Sequence, residues 1–257
     1  MKKKPSSSRS SRPESHSGRT AVRLREMILR GEFRPRERIA EIPLSERLGI
    51  SRTPIRLALE RLSQEGLVEA TSSGGFTVRE FSKQDIWDAI EMRGVLEGLA
   101  AKLAAERLTN SAELTLLRKW NDEIDALMAS STQAMQPGAG PTDELSRYAE
   151  LNIAFHLALV DLARSPMMRL AVERIYAIPF ASPSAPVPVS GRDIMPVAIE
   201  HHHEIIRAIE DQDGIRAERV TREHALVARR NLEIALSEIE RLSPLQIQGT
   251  SLIRSGS

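Results

Sequence analysis

Three histidine-bearing stretches and one arginine-rich helix start carry the chemistry of this chain. His156 lies in ELNIAFHLALVDLA, with Asn152 four residues before it on the same helical face. His202 lies inside the triplet His201-His202-His203 that opens HHHEIIRAIEDQD, and His224 lies in AERVTREHALVARRNL. Imidazoles on separate antiparallel helices can converge in a bundle core and hold a divalent metal. A lone helical histidine is more often a surface or satisfied core residue, so spacing alone is a weak signal. The second constellation is Ser51, Arg52, Thr53 and Arg56. Arginine can grip guanine N7 and O6 together, while hydroxyls and helix N-terminal N–H groups hold phosphate. Arg61 and the glycines Gly74 and Gly75 would reach the flanking backbone. The plainer reading of Arg52 and Arg56 is a solvated helix face shared with Glu60.

These side chains need elements that aim them. LSERLGISRTPIRLALERLSQEGLVEAT, Leu44 to Thr71, reads as a short helix, a turn at Gly49, a second helix and a strand after Gly66. Ser51 or Thr53 can cap the second helix, with Pro54 in its first turn. Ile55, Ala58, Leu59 and Leu62 recur at helical spacing and form its buried stripe. Residues 19–31 add a helix in front. Leu67 to Ala70 and Phe76 to Val78 alternate around Ser72-Ser73-Gly74-Gly75, which predicts a hairpin with a flexible tip. From Lys83 onward the pattern is helical, with helices expected at 83–106, 111–129, 143–164, 166–177, 192–212 and 214–240. Gln133 to Pro141 and the proline-rich Pro179 to Ser190 read as irregular connections.

Composition sets outer bounds. With 257 residues, 41% of them hydrophobic and only 4% aromatic, the chain suits one large helical domain or two ordinary ones. Cysteine is absent, which excludes disulfides and thiolate chemistry. No apolar run approaches the roughly 20 residues of a membrane span, and the basic N-terminus lacks the apolar stretch of a signal peptide. A cytoplasmic protein without membrane partners is the expectation. Residues 1–80 hold 17 Lys/Arg and 10 Asp/Glu, a balance of +7, which leaves −6 for the rest of a chain with net charge +1. A basic module on an acidic remainder suits a nucleic-acid binder attached to something else.

The stretches LREMILRGEFRPRERI, LSERLGISRTPIRLALERLSQEGLV and GGFTV resemble the winged helix of the GntR family of bacterial transcription regulators. Arg93-Gly-Val-Leu-Glu97, Asn152-x-x-x-His156, the helix around His202 and His224 are similar to the all-helical FCD ligand domain of its FadR-type branch. The resemblance implies a mainly α protein: an N-terminal winged helix-turn-helix followed by an antiparallel helical bundle. The expected divisions are a disordered basic tail (1–17), the DNA-binding domain (18–81), the FCD domain (83–241) and a flexible tail (242–257).

It further implies a divalent metal on Asn152, His156, His202 and His224, with Zn²⁺ expected and Ni²⁺ or Mn²⁺ as alternatives. His202 is chosen from the triplet because Ile205, Ile206, Ile209 and Asp213 fall at the family spacing from it. Many members carry aspartate where this chain has Asn152, so the ligand set here is neutral and favours a carboxylate from outside. Arg93 is expected to face the effector, since a guanidinium suits a carboxylate; the competing role is an exposed ion pair with Glu97. Asn231, two turns beyond His224, is a further lining candidate. Trp87, Ile86 and Ile90 fall where the domains would meet. The implied protein is a homodimeric repressor on a pseudo-palindromic operator, controlled by a small organic acid. Two other classes compete: a helical metal-dependent enzyme fused to a DNA-binding module, and an architectural DNA-binding protein without effector. Against the enzyme, no general base adjoins the trio; Glu204 falls on a different helix face from His202.

Overall fold

The computed structural model describes residues 16–130, 143–183, 195–242 and 250–253. Helix α1 (His16–Leu29) is followed by β1 (Arg38–Ile39), α2 (Glu41–Leu48), α3 (Arg52–Gln64), β2 (Val68–Ala70) and β3 (Phe76–Val78). The strands form an antiparallel sheet in the order β1-β3-β2, with Ile39 and Ala70 both opposite Phe76. Hydrophobic periodicity missed β1, because two residues are too few to show alternation. Helix α1 starts inside the stretch expected to be tail, at His16. Residues 1–15 and the loop at 133–141 lie outside the described residues.

The turn between α2 and α3 depends on Gly49, whose φ of 65° closes α2 in the left-handed region where a Cβ is strained. Its N–H returns to Ser45 O, and the Ser45 hydroxyl holds Ile50 O at 2.6 Å. Ser51 sits at the N-cap of α3, but its side chain makes no capping bond there. Ile55, Ala58, Leu59 and Leu62 are fully buried against α1 and the sheet. Each large aliphatic side chain buried in this way contributes about 1.5–3 kcal/mol.

Helix α4 (Lys83–Arg107) begins at a reciprocal cap: Asp85 N–H donates to Ser82 Oγ, and Ser82 N–H donates to the Asp85 carboxylate. A 3-10 turn (Ser111–Leu114) leads into α5 (Thr115–Ser130); α6 (Asp143–Leu162), α7 (Pro166–Tyr176), α8 (Met195–Glu210) and α9 (Gly214–Leu242) follow. Helices α4 and α9 lie unusually close. A Cβ on Gly94 would stand 2.9 Å from Ala225 Cβ, and one on Gly98 would stand 2.8 Å from Arg222 Cγ. Phe155, Ile205, Ile206 and Ile209 fill the core between α4, α5, α6, α8 and α9.

A second core joins the winged helix to the bundle. It runs from Leu24, Ile55 and Phe76 through Phe81 into Ile86 and Ile90 of α4, and takes in Phe180, Leu232 of α9 and Leu252. The last of these corrects the expectation of a free tail over 242–257. Residues Thr250–Leu252 form a 3-10 turn, Phe81 N–H donates to Leu252 O at 2.8 Å, and Ile253 bridges Phe81 in parallel. An apolar Leu252 with a burial site at the domain junction explains the docking. Residues 243–249 and 254–257 lie outside the described part.

Candidate metal centre and nucleic-acid interface

Helices α6, α8 and α9 each deliver one imidazole to the bundle interior. One ring nitrogen from each of His156, His202 and His224 lies within 4.8 Å of the other two. His156 Nε2 stands 3.1 Å from His224 Nε2. His202 stacks on Phe155 with ring centres 4.0 Å apart, which fixes its plane. Of the triplet, His202 is fully buried, whereas half-exposed His203 pairs with Asp125 at 3.1 Å and meets Asn121. Asn152 is buried one turn before His156, and its amide N–H donates to Pro183 O at 2.8 Å.

Glu97 organises this centre, although the sequence marked it only as a partner for Arg93. Its carboxylate accepts from His156 Nδ1 at 2.9 Å and from the Tyr176 hydroxyl at 2.5 Å. A carboxylate only accepts, so His156 Nδ1 is the donor here and Nε2 is the ring nitrogen turned toward His224. Arg93 Nε lies 3.7 Å from Glu97, with side-chain exposures of 1% and 0%. The pair is therefore buried, not the exposed ion pair that i,i+4 spacing on a solvated helix would give. Arg93 also donates to Ala181 O at 2.8 Å. That carbonyl is brought round by Phe180, whose φ of 64° is costly for a large side chain.

Burial works to raise the Glu97 carboxyl, but His156, Arg93 and Tyr176 outweigh it and hold it below its ordinary range. Burial pushes the Tyr176 hydroxyl well up, and Glu97 adds to this. His202 and His224 are pushed well below ordinary histidine values, first by burial and then by neighbouring histidines. Neutral imidazoles are what a metal needs. Both His202 ring nitrogens, His224 Nδ1 and Asn152 Oδ1 are buried without hydrogen-bond partners. Each orphan costs about 1–3 kcal/mol, a cost that a ligated cation would partly offset. The donor set fits Zn²⁺ or another borderline divalent ion. Arg93 Nε and Asn231 Oδ1 are also buried without a hydrogen-bond partner.

Glu204 faces Arg207 and Arg216 at the surface and does not serve the trio. Trp87, at the start of α4, lies under the Arg229 guanidinium of α9 at 5.1 Å. Ile86 and Ile90 are buried in the core shared by both domains.

At the other end of the molecule, Ser51, Arg52, Thr53, Arg56 and Arg61 are all exposed along α3. Arg52 lies 3.8 Å from Glu41, Arg56 bonds Glu60 at 3.2 Å and Arg61 bonds Glu65 at 3.0 Å. These exposed pairs contribute about 0–1 kcal/mol each, so exchange for phosphate or base edges is easy. A hollow of about 730 Å³ opens between the starts of α1 and α3, bordered by Arg19, Arg23, Ser51 and Thr53. Gly74 and Gly75 form the wing tip, with φ of 81° and 96°.

Two family models match the chain: bacterial regulatory proteins of the gntR family over residues 17–78, and the FCD domain over residues 88–227. The chain is 31% identical over 152 residues to the uncharacterized HTH-type transcriptional regulator YdhC of Bacillus subtilis, covering 59% of this chain and 62% of YdhC. It thus spans less than two thirds of that relative's length. It is 26% identical over 205 residues to the HTH-type transcriptional repressor GlaR of Escherichia coli, covering 79% and 89% of the two chains. The solved structure of E. coli McbR/YncC shares the fold, with a TM-score of 0.59 at 22% identity over 87% of this chain and 98% of that one. No described helix is long and apolar enough to cross a membrane.

Proposed function

This chain belongs to the GntR family of bacterial regulatory proteins, with an FCD domain behind the winged helix, and on that premise we propose a homodimeric, effector-controlled transcriptional repressor. Two copies of α3 enter successive major grooves of a pseudo-palindromic operator. Ser51, Arg52, Thr53 and Arg56 meet bases and phosphates, Arg61 and the wing glycines the flanking backbone. A small organic acid binds in the helical domain beside a divalent metal on Asn152, His156, His202 and His224. Repression matches the name that GlaR carries.

The observation that supports this reading most is the convergence of three buried imidazoles from three helices. Charge argues for the acid. Arg93 and Glu97 cancel each other, so a divalent ion on neutral ligands would leave both its charges uncompensated in a buried site. A carboxylate from outside compensates them, and the ion supplies the electrophilic contact for it. Arg93 and Asn231 border that acid. Coupling follows α9, which carries His224 in the bundle, Arg229 over Trp87 and Leu232 in the core shared with the winged helix. An acid that prefers one placement of α9 biases the DNA-binding arrangement by its differential affinity.

The test is metal content of tag-free protein by mass spectrometry, for wild type and His156→Ala. About one equivalent per chain, lost in the variant, is expected. No metal in either, even after incubation with Zn²⁺ or Ni²⁺, overturns the metal site.

A further inference from the structure

The wing tip Ser72-Ser73-Gly74-Gly75 contains no cation of its own, yet a positive charge sits on it. Arg38 of β1 lies opposite Thr77 of β3, and its side chain runs along the sheet to the tip. Arg38 Nη2 donates to Gly74 O at 2.8 Å, a carbonyl that also accepts from Thr71 Oγ1 at 2.9 Å. A side chain at Gly75 would begin 3.5 Å from that guanidinium, so the backbone of the tip lies against it. The tip is thus a small built surface: two exposed serines, a bare backbone and one cation from the neighbouring strand.

Arg38 also differs from several of the arginines around it. Arg36, Arg52, Arg56, Arg61 and Arg79 each lie beside a glutamate. Arg38 is exposed and has no carboxylate partner among the described residues. Its guanidinium carries five N–H donors, and the bond to Gly74 leaves others for a second acceptor. No ion pair must be given up for it to take one.

We infer that Arg38 is a DNA contact of the wing, holding a backbone phosphate beside each half-site while its bond to Gly74 fixes the tip. This rests on the DNA-binding reading above. A contact to phosphate adds affinity and salt dependence but no base preference.

The probe is the duplex recovered by wild-type full-length protein from a random pool. Its affinity is measured by fluorescence anisotropy from about 50 to 200 mM salt, for wild type, Arg38→Gln, Arg38→Lys and Arg56→Gln. Arg38→Gln is expected to bind more weakly, with a salt slope shallower by about 1 for each half-site, and to recover the same consensus from the pool. Arg38→Lys keeps the wild-type slope. A wild-type slope in Arg38→Gln beside a weakened Arg56→Gln overturns the inference and leaves the DNA-binding reading standing. So does an Arg38→Lys slope as shallow as that of Arg38→Gln, which would mark Arg38 as a pin for the tip and not a charge for DNA. If the pool yields no enriched sequence and wild type binds no duplex, both fail together.

Discussion

Glu97 decides what the histidines can do. It accepts from His156 Nδ1 and from the Tyr176 hydroxyl, and balances Arg93. Glu97→Gln keeps the shape but removes the charge and the obligate acceptor. Metal affinity, read by competition with a chromogenic chelator, is expected to fall about 10–100-fold. The same variant leaves the Arg93 charge buried without its carboxylate, so its melting temperature should also fall. His202 and His224 yield a prediction in pH. Their folded values lie below 6.5, so below pH 6.5 the unfolded chain binds protons that the folded chain refuses. Stability present above pH 6.5 is therefore lost as pH falls toward the folded values. Urea midpoints of chelator-treated protein should decline below pH 6.5, and a His202→Phe, His224→Phe double variant should decline less. In the sequence the histidines stood out by type and by the resemblance to the FCD domain, since helical spacing alone is a weak signal. The Glu97–Tyr176 link was not, since its partners are far apart in the chain and meet only through packing.

Among the elements, the α4–α9 contact is set by two glycines. Gly94 and Gly98 are in α4, where glycine costs roughly 1 kcal/mol relative to alanine. The closeness of Ala225 and Arg222 gives the reason for bearing that cost. Gly94→Val should overpack the seam and destabilise by about 1–3 kcal/mol in chemical denaturation. An unchanged midpoint would mean that α9 can move aside freely, which would undercut its role as the coupling element. Gly98→Ala has Arg222 Cγ and Glu218 O to displace, one flexible and the other backbone, so a smaller loss is expected. The helices themselves were legible from periodicity, whereas the reciprocal cap of Ser82 with Asp85 emerged only in the fold. Strand β1 and the start of α1 were not: one is too short for a pattern, and the other opens in a polar stretch that composition assigns to a tail.

In the molecule as a whole, the winged helix and the helical bundle are joined by one apolar core, not by a free linker. Phe81, Ile86 and Ile90 carry that core from β3 into α4, and Leu232 and Leu252 return to it from the far end of the chain. Hydrogen exchange should therefore show the amide of Phe81, bonded to Leu252 O, slowed in the intact chain. In Leu252→Asp it should exchange faster, together with amides of α1, which the 250–252 turn touches. Equal protection in both proteins would show that the tail rides on the surface without bearing on the fold. The two-part organisation was legible from the charge asymmetry and the change of periodicity at Lys83. The return of the tail was not, because Leu252 and Ile253 sit in a polar stretch whose docking partner is remote in sequence.

That returning segment has a consequence for synthesis. The ribosome releases the winged helix early, but the last fully buried side chain of its hydrophobic cluster, Leu252, emerges after the entire bundle. Until then the DNA-binding portion carries an open apolar seam at Phe81, the kind of surface that chaperones and proteases survey. Completion of the winged helix thus waits for the helical domain behind it, and a chain stopped short of residue 250 would be born with a loosened grip on its own first domain.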